Sequence, residues 1–373
     1  MKIVVNKTIL GEAVVMLSKV ISSKNALPIL GNILCEVKNN KLTMTASDTE
    51  VTIRTEVELM KMDVDGRFCV PADKLNGALA QLSDQPLNII ANTESDMQMR
   101  IETVSGSFYF PIDHADEYPM PKLPEYGETV KIDGHMMLDA VKRCTFAMAN
   151  GELRPIMCGM YFGLHEGWLD IVASDGRALA KSHINAKGVS IEAEQSMILP
   201  KKAANLLNKL LTSGDVEVRM SEMYGEIANS PYTLTFRLVD GKYPNYNKVI
   251  PDNQLLTAVV PRAFLMNSVR KVAPFTNDSS NMLRLTFEHG KLTLNGDDYD
   301  MAIGATDSLD IEYTGDTLAI GVKASTLLAI LSHLPGQEVD MMMTDASCAI
   351  TFEPSEDPDD VEITMLTMPM LID

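Results

Sequence analysis

No apolar run in these 373 residues is long enough to cross a bilayer, although 46% of them are apolar. The opening Met1-Lys2-Ile3-Val4-Val5-Asn6 lacks the apolar core and small-residue cleavage site of a signal peptide. A cytoplasmic protein without a membrane partner is expected. Cysteine is scarce and scattered: Cys35, Cys69, Cys144, Cys158 and Cys348 form no CxxC pair and are odd in number. That argues against a disulfide framework or a zinc knuckle and predicts small buried thiols in a reducing compartment. The six histidines show neither HxxxH nor HExxH spacing, and there is no P-loop, GxSxG or dinucleotide fingerprint. No cofactor, no metal and no catalytic residue are therefore expected. Basic residues are the minority: 32 Lys and Arg against 51 Asp and Glu leave a formal net charge of -19. Duplex DNA is held through Lys and Arg that displace its counterions. Such a chain binds nucleic acid only if its positive charge is gathered on one surface.

What is present is a module that occurs three times. Gly31–Val37 leads to Lys41–Asp48, Gly159–Leu164 to Trp168–Asp175, and Leu283–Phe287 to Lys291–Asp297. Each is a pair of alternating strands joined by a short polar turn, the pattern of a hairpin buried on one face. Each hairpin is preceded by a helix-period stretch, Thr8–Ile21, His135–Met148 or Arg262–Val272. In the first, Leu10, Val14, Leu17 and Ile21 form one apolar stripe. Each hairpin is followed by an apolar strand running into a second helix, predicted at Ala72–Leu82, Lys201–Leu211 and Ala324–Leu334. Pro71 and Pro200 stand where those helices open, as expected of a residue without an N–H to leave unpaired. A period of about 125 residues means repeated domains rather than a solenoid. The reading is α+β, three domains over 1–125, 126–252 and 253–373, each with two helices covering antiparallel sheet.

The predicted helices carry Lys19, Lys74, Lys142, Arg143, Lys201, Lys202, Lys209, Arg262, Arg270, Lys271 and Lys323 in or at their ends. Against them stand Glu12, Asp73 and Asp139, while 353–362 is the densest acidic run. Lysines on a helix face are ordinarily just solvated. A bias repeated in all three modules instead points to a positive helical surface that holds DNA by its phosphates, with acidic sheets elsewhere. No RNP-like aromatic strand or zinc finger is present, so base reading is not indicated. Asp48, Asp175 and Asp297 recur at equivalent places, where repeated carboxylates could suggest a metal-dependent nuclease. One Asp per module at a strand end, before Gly or polar residues, is the signature of a turn. An acidic scaffold that binds proteins only is the other alternative.

Four stretches resemble one family: Leu27–Asn32, Ser174–Arg177, Arg237–Tyr246 (RLVDGKYPNY) and the ending Met368-Pro369-Met370-Leu371. In order and spacing they are similar to the bacterial DNA polymerase III β sliding clamp, from end to end. The resemblance implies a DNA-clamp fold, a head-to-tail homodimer whose six domains close a ring around duplex DNA. It implies a processivity factor rather than an enzyme. It places a peptide pocket at Met157, Ser174, Gly176, Arg177, Leu179, Pro244, Lys248, Val249, Met368, Pro369 and Met370. Its partners would be linear motifs of the polymerase III α subunit, the clamp loader δ subunit, other DNA polymerases, mismatch repair proteins and ligase. It places the dimer contact at Phe108 and Phe110 against Pro274 and Phe275, and DNA contacts at Lys24, Lys74, Arg154, Lys201 and Lys202. Ala178, Asp73 and the Leu371-Ile372-Asp373 tail depart from the common pattern. They leave open the peptide preference and the first domain's share of DNA contact.

Overall fold

The computed structural model describes every residue except 23, 24, 26, 121–128, 152, 153, 166, 187–193, 253 and 373. Lys24 and the expected boundary at 125/126 lie outside the described residues. The chain forms two compact units, one of Met1–His135 with Asn205–Leu238, the other of Met136–Ala204 with Val239–Asp373.

All six expected helices form: α1 (Lys7–Ser18), α2 (Ala72–Ala80), α3 (Gly134–Thr145), α5 (Lys201–Leu210), α6 (Arg262–Val272) and α7 (Ala324–His333). A single extra turn, α4 (Pro155–Cys158), escaped the periodicity because four residues carry none. α1 begins where the Asn6 side chain accepts from the N–H groups of Thr8 and Ile9, satisfying two orphan donors. Its buried stripe is Leu10, Ala13, Val14 and Leu17; the helix stops at Ser18, so Ile21 is not part of it. Pro71 stands at the N-cap of α2, not inside it, and the Pro200 carbonyl accepts the N–H of Ala204 at the start of α5. The proline thus closes the preceding strand and hands its carbonyl to the helix. Cys35, Cys69 and Cys144 are buried as expected, whereas Cys158 and Cys348 are partly exposed.

The three expected hairpins are present as Asn32–Lys38 with Lys41–Ser47, Met160–His165 with Trp168–Ser174, and Met282–Glu288 with Lys291–Asp298. In the first, Asn39 and Asn40 both have positive φ, the two-residue turn whose twist suits a hairpin. Every strand pairing is antiparallel, and the strands fall into a few large sheets. The first unit holds an eight-stranded sheet in which Tyr232–Arg237 of the central repeat pairs with Val51–Glu58 of the first. The second unit repeats the construction, with Val361–Thr367 of the third repeat paired to Ala178–Asn185 of the central one. Two shorter sheets remain. One ends on Ser107–Pro111 in the first unit, the other on Ile303–Asp310 in the second.

Candidate functional site

In the second unit a tight turn between two central strands shapes a groove. Asp175 Oδ1 accepts from the N–H groups of Arg177 (2.8 Å) and Ala178 (2.7 Å), so the carboxylate is committed to the turn. Asp48 does the same for Glu50 and Val51 in the first repeat. In the third repeat the capping residue is Asp298, which accepts from Asp300 and Met301; Asp297 does not take that role. Counted from the start of its strand at Lys291, Asp298 holds the same place as Asp48 counted from Lys41 and Asp175 from Trp168, so it rather than Asp297 is the equivalent carboxylate. Ser174 adds a hydroxyl that donates to the Ala178 carbonyl (2.8 Å) and accepts from Gly176 N–H (3.1 Å). Gly176 has φ +86°, and a Cβ there would stand 2.8 Å from Arg154 Nη1. The positive φ favours glycine.

The C-terminal tail forms one side of the groove. Met368 N–H donates to the Arg177 carbonyl (2.7 Å) and Met370 N–H to that of Gly321 (2.8 Å). The resulting depression has a volume of about 110 Å³ and is almost wholly apolar. Of the residues expected there, Met157, Ser174, Gly176, Arg177, Leu179, Pro244, Val249 and Met368 line it. Lys248 is exposed nearby, while Pro369 and Met370 lie outside the lining and Met370 anchors the tail on Gly321. Ala178, Tyr243, Asn245, Tyr246 and Leu366 also line it and were not assigned from sequence. Two of these, Tyr243 and Tyr246, stand inside the RLVDGKYPNY stretch, which was the available signal.

The groove is rigidly backed. Tyr243 accepts from the backbone N–H of Ser174 (3.0 Å), and Tyr246 donates to Asp170 Oδ2 (2.5 Å). Asp170 is 4% exposed, and its other oxygen is bonded to His183 Nδ1. His183 in turn stacks on Trp168, ring centroids 4.1 Å apart. Burial raises the pKa of both tyrosines, and for Tyr246 the adjoining carboxylate adds to the effect. Both phenols are therefore neutral donors or acceptors at any physiological pH.

The basic helix residues divide in two. Lys19, Lys74, Lys142, Lys209, Arg270, Lys271 and Lys323 are exposed. Others are half-buried and partly committed within the protein: Arg262 donates to the carbonyls of Gly336 and Leu331, and Lys201 to Ala149 O (3.2 Å) and Asn150 Oδ1 (2.5 Å). Lys202 is half-buried as well. Arg154 is exposed, but its guanidinium lies 3.9 Å from Met157 Sδ, beside the groove. Lys74 is 3.3 Å from Asp73, and both line an open depression with Ser107–Phe110. Among the described residues no group of three His, Cys, Asp or Glu side chains is placed to hold a metal ion.

Phe108 and Phe110 lie on the free edge strand Ser107–Pro111. Phe110 is only 9% exposed and faces inward, while Phe108 (37%) and Tyr109 (67%) are the exposed aromatics. Pro274 and Phe275, in the second unit, are exposed directly after α6. Tyr299, Met301 and Ile303, at the start of the other free edge, are exposed as well.

The chain is similar to known proteins along nearly its whole length. Residues 1–124 match the N-terminal domain of the DNA polymerase III beta subunit, 131–245 its central domain and 247–371 its C-terminal domain. A beta sliding clamp of Haemophilus influenzae is 26% identical, covering 91% of this chain and 92% of its own. One from Chlamydia muridarum is 26% identical over 99% of both chains. The crystal structure of a DNA polymerase III subunit beta sliding clamp from Pseudomonas aeruginosa, bound to griselimycin, superposes with a TM-score of 0.94. It is 25% identical and covers 100% of both chains.

Proposed function

The chain belongs to the DNA polymerase III beta subunit family, and from that premise we propose that two copies close head to tail into a ring around duplex DNA. One observation carries the assembly. Within the chain the same strand pairing occurs twice, Tyr232–Arg237 on Val51–Glu58 and Val361–Thr367 on Ala178–Asn185. A third pairing of that kind would join Ser107–Pro111 to Ile303–Asp310, yet each is the outer strand of its sheet. Unpaired edges invite pairing with another chain, and a head-to-tail contact that closes makes a ring. Phe108, Tyr109 and Lys74 on one copy would meet Phe275, Tyr299, Met301 and Ile303 on the other.

The exposed helix lysines and arginines supply weak, sequence-independent phosphate contacts, so retention rests on topology rather than affinity. The apolar groove takes linear peptide motifs of polymerases, the clamp loader and repair proteins, and griselimycin serves as its probe. The chain acts without catalysis, as a processivity factor in the cytoplasm. No helix of the described residues is long and apolar enough to cross a membrane. The decisive experiment loads the protein on circular DNA with clamp loader and ATP, at salt high enough to suppress phosphate binding. Retention on the circle and loss after linearisation are expected. Equal loss from both, with a verified loader, would favour a protein-binding scaffold.

A further inference from the structure

Behind the groove, two histidines and a tyrosine converge on one buried carboxylate. Tyr246 donates to Asp170 Oδ2, and His183 Nδ1 is bonded to Oδ1. His165, at the end of the neighbouring strand Met160–His165, brings Nε2 to 3.6 Å from that same Oδ2 and Nδ1 to 3.4 Å from Glu194. Other charged and titratable groups face the cluster. Glu362 stands opposite His183 on the strand Val361–Thr367, Tyr161 packs against Tyr246 with ring centroids 5.6 Å apart, and Lys181 Nζ lies 5.8 Å from the Tyr246 ring.

The fold does not require this carboxylate. Along the equivalent hairpins Asp170 is matched by Thr43 and Thr293, His183 by Glu56 and Ser308, and His165 by Lys38 and Glu288. Both sister hairpins form without a carboxylate in that place. Taking a charge out of water is costly unless it is well hydrogen-bonded. Of the three repeats, only the one whose Tyr246 lines the groove carries it.

His183 already holds Oδ1, so His165 meets Asp170 at the oxygen that Tyr246 uses. Histidine is the side chain that ordinarily gains its charge between about pH 8 and pH 5. A protonated His165 would form a charge-assisted bond to Oδ2. Glu194 is exposed and screened by solvent whereas Asp170 is buried, so the stronger pull is towards Asp170. We propose that His165 makes the groove sensitive to pH: protonation draws its Nε2 onto Asp170, weakens the hold on the Tyr246 hydroxyl and loosens the wall against which a peptide lies. This regulation rests on the peptide reading of the groove given above.

The test is calorimetric titration of the full chain with griselimycin at about pH 8 and about pH 5.5. Circular dichroism and the emission of Trp168, the single tryptophan and the ring stacked on His183, confirm that each variant is folded. Affinity of the unaltered protein falls about three- to tenfold on acidification. His165→Gln, which cannot gain the charge, loses the pH response, and His165→Lys, charged throughout, binds weakly at both values. Lysine suits the strand, since Lys38 holds the equivalent place in the first hairpin. Should His165→Lys fail to fold, His165→Gln alone decides. An affinity that does not change with pH in the unaltered protein, or that falls equally in His165→Gln, overturns the proposal while the groove reading survives. If Val249→Ala leaves affinity unchanged at the higher pH, the groove reading fails and the proposal with it.

Discussion

Thr49 and Gly176 occupy the same turn position at the same positive φ, but only glycine does so without a Cβ penalty. A β-branched residue held there costs about 1–3 kcal/mol. Thr49→Gly is therefore expected to stabilise the first unit by about 1 kcal/mol, after the entropy cost of glycine. Gly176→Ala should destabilise by a similar amount and crowd Arg154; thermal unfolding of the two variants should move in opposite directions. Asp170 is a second residue whose effect exceeds its size. Asp170→Ala leaves the Tyr246 hydroxyl and the His183 ring nitrogen without their partner inside the protein. A loss of about 2–4 kcal/mol is expected in denaturant unfolding, with weaker griselimycin binding because the groove wall is freed.

At the level of elements, the strand Ile350–Pro354 carries an electrostatic cost. Burial raises the pKa of Glu353, and Asp357, Asp340 and Glu362 push it further up. Burial likewise raises Asp357, partly offset by Arg143. An acid whose folded pKa exceeds its unfolded value binds its proton more tightly in the native state. Stability then falls as pH rises from the ordinary carboxylate range through the raised value. The melting temperature should accordingly gain on mild acidification from neutrality towards that range, and Glu353→Gln should reduce the gain. Asp307 runs the other way: its bonds to Lys271 and Ser268 depress its pKa, and its contribution is lost only below the ordinary carboxylate range. The tail is an element held by few bonds. A Cβ on Gly321 would stand 2.6 Å from the Met370 carbonyl. Gly321→Ala should lift the tail from the strand Leu318–Lys323 and raise hydrogen exchange at Met370, with the helices unaffected.

For the whole molecule, the two free edges carry the assembly. Phe108→Asp places a charge on an exposed edge aromatic, and sedimentation should shift from dimer towards monomer with the far-ultraviolet spectrum preserved. Retention on circular DNA should be lost in parallel, although none of the exposed helix lysines has changed. A dimer that persists would move the contact away from this strand.

The threefold repeat, all six long helices and the three hairpins were legible in the sequence, because periodicity and turn chemistry are local. The groove positions between Ser174 and Leu179 and at Met368 came instead from the resemblance, because they sit in the contiguous stretches that carry it. Leu366, Asp170 and the outward Tyr109 were not assigned. Leu366 meets Leu179 only through a strand pairing across nearly half the chain, and the environment of Asp170 comes from three separate strands and a turn. The resemblance placed Phe110 at the dimer contact, whereas its inward direction depends on which face of the sheet is covered. The sequence by itself determined the elements and their repetition. Only the tertiary structure decided which edges stay free, because that depends on partners brought together by long-range strand pairing.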